Sequence, residues 1–136
     1  MFDVYHKKLY SKMFLFVFIF IIFLILSACN NDLGEIKQVN VYKMENFDKI
    51  KKNSLVTFKS NQEIKEFEKA FNNLKKQKGK VDIIDPEYKI ELGNKSYFMW
   101  LNQEKVTVMN TEDTNTIYFL TDENSEIIKK ILDTNK

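Results

Sequence analysis

Residues 87–101 have the sequence EYKIELGNKSYFMWL, in which two runs of alternating apolar and polar residues flank Gly93 and Asn94. A Gly-Asn pair between two such runs is typical of the two-residue turn of a β-hairpin. Because side chains alternate along a strand, this turn also determines which residues lie opposite each other. The expected pairs on the core face of the hairpin are Leu92 with Lys95, Ile90 with Tyr97, and Tyr88 with Met99.

The other face of the hairpin is predicted to carry the candidate contacts for a ligand or partner, Lys89, Phe98 and Trp100. Lys89 lies opposite Phe98 in this register, so its ammonium group can sit over the ring as a cation–π pair. Aromatic rings next to charges are typical of recognition surfaces, which gives the hypothesis of a partly exposed binding face. The alternative is that the C-terminal helix or the first strand covers this face and turns both rings into core, and the rarity of exposed aromatic patches on monomers favours it.

A helix is predicted before the hairpin, over residues 61–77. Its apolar residues are spaced by three, four and three positions, which places them on one stripe of a helix, and we interpret this stripe as core rather than as a groove for a partner helix. Ser60 and Glu63 have the spacing of a capping box, and lysines follow at the C-terminal end, where cations suit the helix dipole. The residues of the stripe are Ile64, Phe67, Phe71 and Leu74.

The remaining elements complete an α+β fold, in which an antiparallel sheet of five to six strands packs against two amphipathic helices. Further strands are expected over residues 35–44, 55–58, 105–109 and 115–120. A second helix is expected to begin at Thr121 or Asp122 and to carry Ile127, Ile128, Ile131 and Leu132. The predicted core consists of Ile64, Phe67, Phe71, Leu74, Ile90, Leu92, Tyr97, Met99, Ile117, Phe119 and Ile131.

The N-terminus has the features of a lipoprotein signal peptide. Lysines precede an apolar run of fourteen residues, 13–26. That run is shorter than the roughly 20 residues of a membrane-spanning helix and suits a signal peptide, although an uncleaved anchor is the alternative. The residues Leu26, Ser27 and Ala28 then precede Cys29 in the manner of a bacterial lipobox, where a peptidase needs small side chains and the sulfur accepts a diacylglycerol.

The sequence therefore divides into a signal peptide over residues 1–28, a lipidated cysteine with a linker over residues 29–34, and one α+β domain over residues 35–136. The expected location is the outer face of the cytoplasmic membrane, to which the lipid on Cys29 attaches the chain. Cys29 is the only cysteine and His6 the only histidine of the chain. The mature domain then has no imidazole or thiol for Cys-His or Ser-His-Asp catalysis, and no usual zinc or haem ligands.

Carboxylates and lysines are the remaining reactive groups. Asp82, Asp85 and Glu87 cluster around Pro86, and pairs of acids flank the last predicted strand. Paired carboxylates can hydrolyse glycosides, and clusters of carboxylate oxygens can bind calcium. Acids beside turns are usually solvated, however, and no calcium-loop motif is present. We therefore predict no catalytic residue, no metal site and no cofactor.

The charge of the predicted mature chain is balanced. From Cys29 onward, 18 lysines accompany 18 acidic residues, and the chain contains no arginine. Nucleic-acid-binding domains instead carry a basic face that neutralises phosphates. We therefore exclude nucleic acid as a partner.

The order of these segments is similar to that in a known family. A lipobox and a capped helix ending in lysines precede the segments VDIIDPEYKIEL, YFMWL and TIYFLTDENSEIIKKIL. Over most of residues 36–132 the chain resembles the YhfM-like small lipoproteins of Gram-positive bacilli. The resemblance implies a surface lipoprotein in an envelope with one membrane, and it brings no catalytic residues with it.

These observations favour a non-enzymatic binding module that presents a sheet surface to an envelope protein or a cell-wall ligand. Two alternatives remain open, a carboxylate-dependent cell-wall hydrolase and an accessory subunit of a membrane complex. The missing histidine and cysteine chemistry favours the binding module and the accessory subunit over the hydrolase.

Overall fold

The computed structural model describes residues 33–78 and 82–135, which form an antiparallel sheet with two helices. This confirms the predicted α+β class. The helices are α1 (Asn61–Asn72) and α2 (Asp122–Thr134). The strands are β1 (Val39–Asn46), β2 (Lys49–Ile50), β3 (Val56–Phe58), β4 (Lys75–Lys76), β5 (Tyr88–Leu92), β6 (Lys95–Leu101), β7 (Val106–Asn110) and β8 (Asp113–Phe119).

The sheet has eight strands in these residues, more than the predicted five to six. Its order is β2-β1-β5-β6-β7-β8-β4, and β3 also pairs with β1. The two additional strands, β2 and β4, contain two residues each, too few to produce an alternating pattern in the sequence. Both form where a connecting segment meets an unpaired strand edge.

The hairpin formed by β5 and β6 has the predicted register. Tyr88 pairs with Met99, Ile90 with Tyr97, and Leu92 with Lys95. Ile90, Leu92, Tyr97 and Met99 are buried on the face that packs against the helices. The predicted core face of the hairpin is therefore confirmed.

Helix α1 is shorter than predicted and lacks the capping box. It ends at Asn72, because the chain beyond it pairs with the edge of β8, where Lys75 lies opposite Phe119. Lysines on a short edge strand discourage pairing with other chains, which is a different role from the predicted one at a helix end. Ser60 occupies the N-cap position but its side chain makes no capping hydrogen bond.

Helix α2 begins as predicted. The side chain of Thr121 accepts a hydrogen bond of 3.4 Å from the backbone N–H of Asn124. Ile128 and Leu132 are buried, and Ile131 packs against the core from a partly buried position.

Two predicted core residues, Ile117 and Phe119, do not belong to the core. Tyr118 pairs with Val108, which is fully buried, so Tyr118 takes the face toward the helices. Because side chains alternate, Ile117 and Phe119 lie on the opposite face. Residues 117–120 are apolar on both faces of the strand, so the alternation of the sequence did not distinguish them.

Leu33 packs at the hairpin turn and connects the start of the domain to it. Its side chain is 2 % exposed, and its carbonyl accepts a hydrogen bond of 2.9 Å from the N–H of Asn94. Gly93 has φ +62°, and a Cβ there would lie 1.9 Å from the carbonyl oxygen of Leu33. Leu33, which lies within the segment predicted as a linker over residues 29–34, therefore belongs to the core.

The predicted signal peptide and the lipobox residues Leu26, Ser27, Ala28 and Cys29 lie outside the described residues. Within residues 33–78 and 82–135, no helix is long and apolar enough to cross a membrane.

Candidate functional site

Trp100, a candidate contact residue, is buried on the face of the sheet that points away from the helices. Its side chain is 6 % exposed. The indole N–H points at the backbone of the segment before β5, with distances of 3.0 Å to the carbonyl oxygen of Ile84 and 3.2 Å to that of Asp85. The tryptophan thus holds this segment against β6.

Phe47, in the turn between β1 and β2, completes the burial of Trp100. The Phe47 ring stands edge-on to Phe98 at a centroid distance of 5.3 Å and lies 6.1 Å from Trp100. The N–H of Phe47 donates a hydrogen bond of 3.3 Å to the Asp85 carboxylate. The expectation that Trp100 is partly exposed is therefore wrong, and the covering elements are the turn and residues 82–85 rather than a helix or β1.

Lys89, another candidate contact, is directed toward a carboxylate and not toward Phe98. Its Nζ lies 3.6 Å from Oε1 of Glu91. Tyr42 donates a hydrogen bond of 3.1 Å to the same carboxylate, and burial, followed by this bond and the charge of Glu91, raises the pKa of Tyr42. The predicted cation–π pair between Lys89 and Phe98 is therefore wrong. Among the described residues, Lys105 makes such a contact instead, with its Nζ 4.8 Å from the centre of the Phe119 ring.

The exposed part of this face is an apolar step beside a cleft. We use the name isoleucine step for Ile83 and Ile84, whose exposed fractions are 42 % and 74 %. The adjoining cleft has a volume of about 180 Å³. Besides the step, it is lined by Asp82, Trp100, Asn102, Thr107 and Ile117.

The acidic residues around Pro86 act as separate structural groups. Asp85 accepts from the N–H of Phe47, whereas Glu87 accepts a hydrogen bond of 3.3 Å from the N–H of Leu101. Asp82 lies exposed at the edge of the cleft. Among the residues that the structure describes, no group of three or more acidic, histidine or cysteine side chains is arranged to hold a metal.

A second cleft lies beside the lysine-bearing segment that joins β2 to β3. It has a volume of about 290 Å³ and lies between β1, β3 and the end of α2. Lys43, Lys51 and Lys52 line it, together with the apolar residues Val41 and Phe58. The run of lysines in residues 49–52 was the available signal, but only the fold places Lys43 beside it.

Comparisons with known proteins identify a family. The sequence model of a family described as YhfM protein matches residues 35–136. No curated protein and no solved structure matches the chain.

Proposed function

Since the chain belongs to the YhfM family, we propose that its domain is a non-enzymatic binding module, held at the outer face of the cytoplasmic membrane by a lipid on Cys29. In this proposal the isoleucine step is the contact surface for an envelope protein. The family match covers residues 35–136, which begin only six positions after Cys29.

The observation that carries the binding role is the fixed exposure of the isoleucine step. Ile84 is 74 % exposed, although its own carbonyl is bonded to the buried indole of Trp100. The backbone of Ile84 is thus tied to β6 while its side chain lies in water. Exposed apolar surface is one of the features that mark contact sites for other proteins.

The carboxylates support a binding role over hydrolysis. Glycosidases need two carboxyl groups that face each other across a cleft. Here Asp85 and Glu87 each accept a backbone N–H from a different segment. An accessory subunit of a membrane complex would use the isoleucine step in the same way. The identity of the bound protein therefore decides whether the domain is an independent binding module or such a subunit.

The anchor is tested by replacing Cys29 with serine. Metabolic labelling with a fatty-acid precursor should mark the wild-type chain and leave Cys29→Ser unlabelled, because serine has no thiol to accept the diacylglycerol. The serine variant should also keep its signal peptide and therefore have a higher mass than the mature wild-type polypeptide. Equal labelling of the two chains would show that Cys29 is not the anchor.

The contact surface is tested by Ile84→Asn. Since Ile84 is mostly in water, this change should alter the free energy of unfolding by less than about 0.5 kcal/mol. It should nevertheless abolish the complex that chemical crosslinking traps in intact cells. Ile50→Asn is the matched control, because Ile50 is another exposed isoleucine, 39 % accessible, in strand β2. An Ile84→Asn chain that keeps the complex would contradict the proposed surface.

A further inference from the structure

The second cleft, which we name the lysine groove, combines a basic rim with an apolar floor. The rim carries Lys43, Lys51 and Lys52, all of them exposed. The floor is built from Val41, Val56, Phe58, Tyr88 and Leu132. Such a surface suits a ligand that places an apolar group between negative charges.

The three rim lysines have no acidic partner in the described part of the chain. None of them lies within 4.0 Å of a carboxylate there, although the neighbouring Lys49 is paired with Glu45. No described residue that lines the groove is acidic. The groove therefore presents a net positive charge that is not neutralised from within these residues.

The C-terminal end of α2 also borders the groove. It reduces the positive charge of the groove only slightly. Helix C-termini carry a partial negative charge because their last carbonyls lack partners. Here the side chain of Asn135 donates to the carbonyl of Ile131 at 2.9 Å, and Thr134 donates to that of Lys130 at 2.8 Å. Two of the carbonyls at this end are thus already satisfied.

The backbone that carries the rim is fixed before any ligand binds. The N–H of Lys51 donates to the carbonyl of Lys43 at 2.8 Å, and the Ser54 hydroxyl donates to the carbonyl of Lys51 at 2.7 Å. Ser54 also accepts a hydrogen bond from the N–H of Lys43 at 3.0 Å. The loop and β1 are therefore tied together, which reduces the ordering cost of binding.

We propose that the lysine groove binds an acidic segment of a partner protein, in which carboxylates flank an apolar side chain. The volume of about 290 Å³ has room for one large apolar side chain over the floor. Lysine ammonium groups act as separate point charges, so the three on the rim can each meet a different carboxylate along a peptide. This inference does not depend on the anchor or on the isoleucine step.

The test measures binding of a defined peptide to the full chain in uncharged detergent. The probe is a dye-labelled, end-blocked pentapeptide with leucine flanked by two glutamates on each side, followed by fluorescence anisotropy. Lys51→Gln with Lys52→Gln should weaken its affinity roughly tenfold, because two attractive charge contacts are lost. Lys59→Gln with Lys65→Gln removes the same charge from exposed positions outside the groove and should leave the affinity within twofold.

Two variant peptides separate the charge of the probe from its apolar group. The peptide with glutamines in place of glutamates should not bind, and the one with glycine in place of leucine should bind more weakly. Equal weakening by the two lysine pairs, or binding of the glutamine peptide, would overturn the proposal. So would binding of phosphatidylglycerol vesicles that depends on Lys51 and Lys52 while the pentapeptide does not bind.

Discussion

Gly93→Ala should reduce the free energy of unfolding by about 3–5 kcal/mol, because a left-handed non-glycine residue is strained and Leu33 must also leave its site. Gly93 has φ +62°, and its added Cβ would lie 1.9 Å from the backbone oxygen of Leu33. That oxygen cannot move unless the Leu33 side chain leaves the core and the bond from Asn94 breaks. The midpoint of urea denaturation should fall while the slope of the transition stays constant.

Gly34→Ala is the matched control for this change. Gly34 has a similar φ of +69°, but its added Cβ would meet only the side chain of Asn94, at the ordinary distance of 3.5 Å. Its cost should be limited to the strain of the left-handed backbone, about 1–2 kcal/mol. If the two alanine variants lose the same stability, Leu33 is not packed against the turn as described.

Trp100→Ala is the second change for which we expect a large effect, a loss of about 3–5 kcal/mol, as for other buried aromatic residues. The substitution leaves a cavity under Phe47 and removes the N–H that points at the carbonyls of Ile84 and Asp85. Trp100→Phe should cost less, because it keeps one aromatic ring in the site, although it also loses the N–H. The difference between the two variants measures packing separately from hydrogen bonding.

Fluorescence reports on the same site, because Trp100 is the only tryptophan. A side chain that is 6 % exposed should give blue-shifted emission that iodide quenches poorly. Unfolding in urea should shift the emission to the red and make it quenchable. Red-shifted, readily quenched emission from the native chain would contradict the cover formed by Phe47 and residues 82–85.

The hairpin could be predicted from the sequence because its signals are local. The pair Gly93–Asn94 and the alternation on each side determine both the turn and the register, and the structure has the same pairs. Helix α2 could be predicted for the same reason, since Thr121 precedes an apolar stripe with helical spacing. These elements follow from neighbouring residues alone.

The features that were missed depend on contacts between distant residues. Leu33 lies in a segment whose sequence indicates a polar linker, and only the folded turn at Gly93 brings its core site beside it. Phe47 lies in a lysine-rich connection, and nothing near it in the sequence indicates that it covers Trp100. The predicted end of α1 was also too late in the sequence. Leu74 continues the helical spacing, but the next two residues pair with the edge of β8 and form a strand.

The most direct test of the proposed binding role is photocrosslinking from the isoleucine step in living cells. A photoreactive amino acid placed at position 84, in the full chain with Cys29 intact, should form a discrete adduct with an envelope protein. The same group at Lys65, an exposed position on α1, should form none. Absence of an adduct from position 84, or the same adduct from both positions, would contradict a binding module that uses this surface.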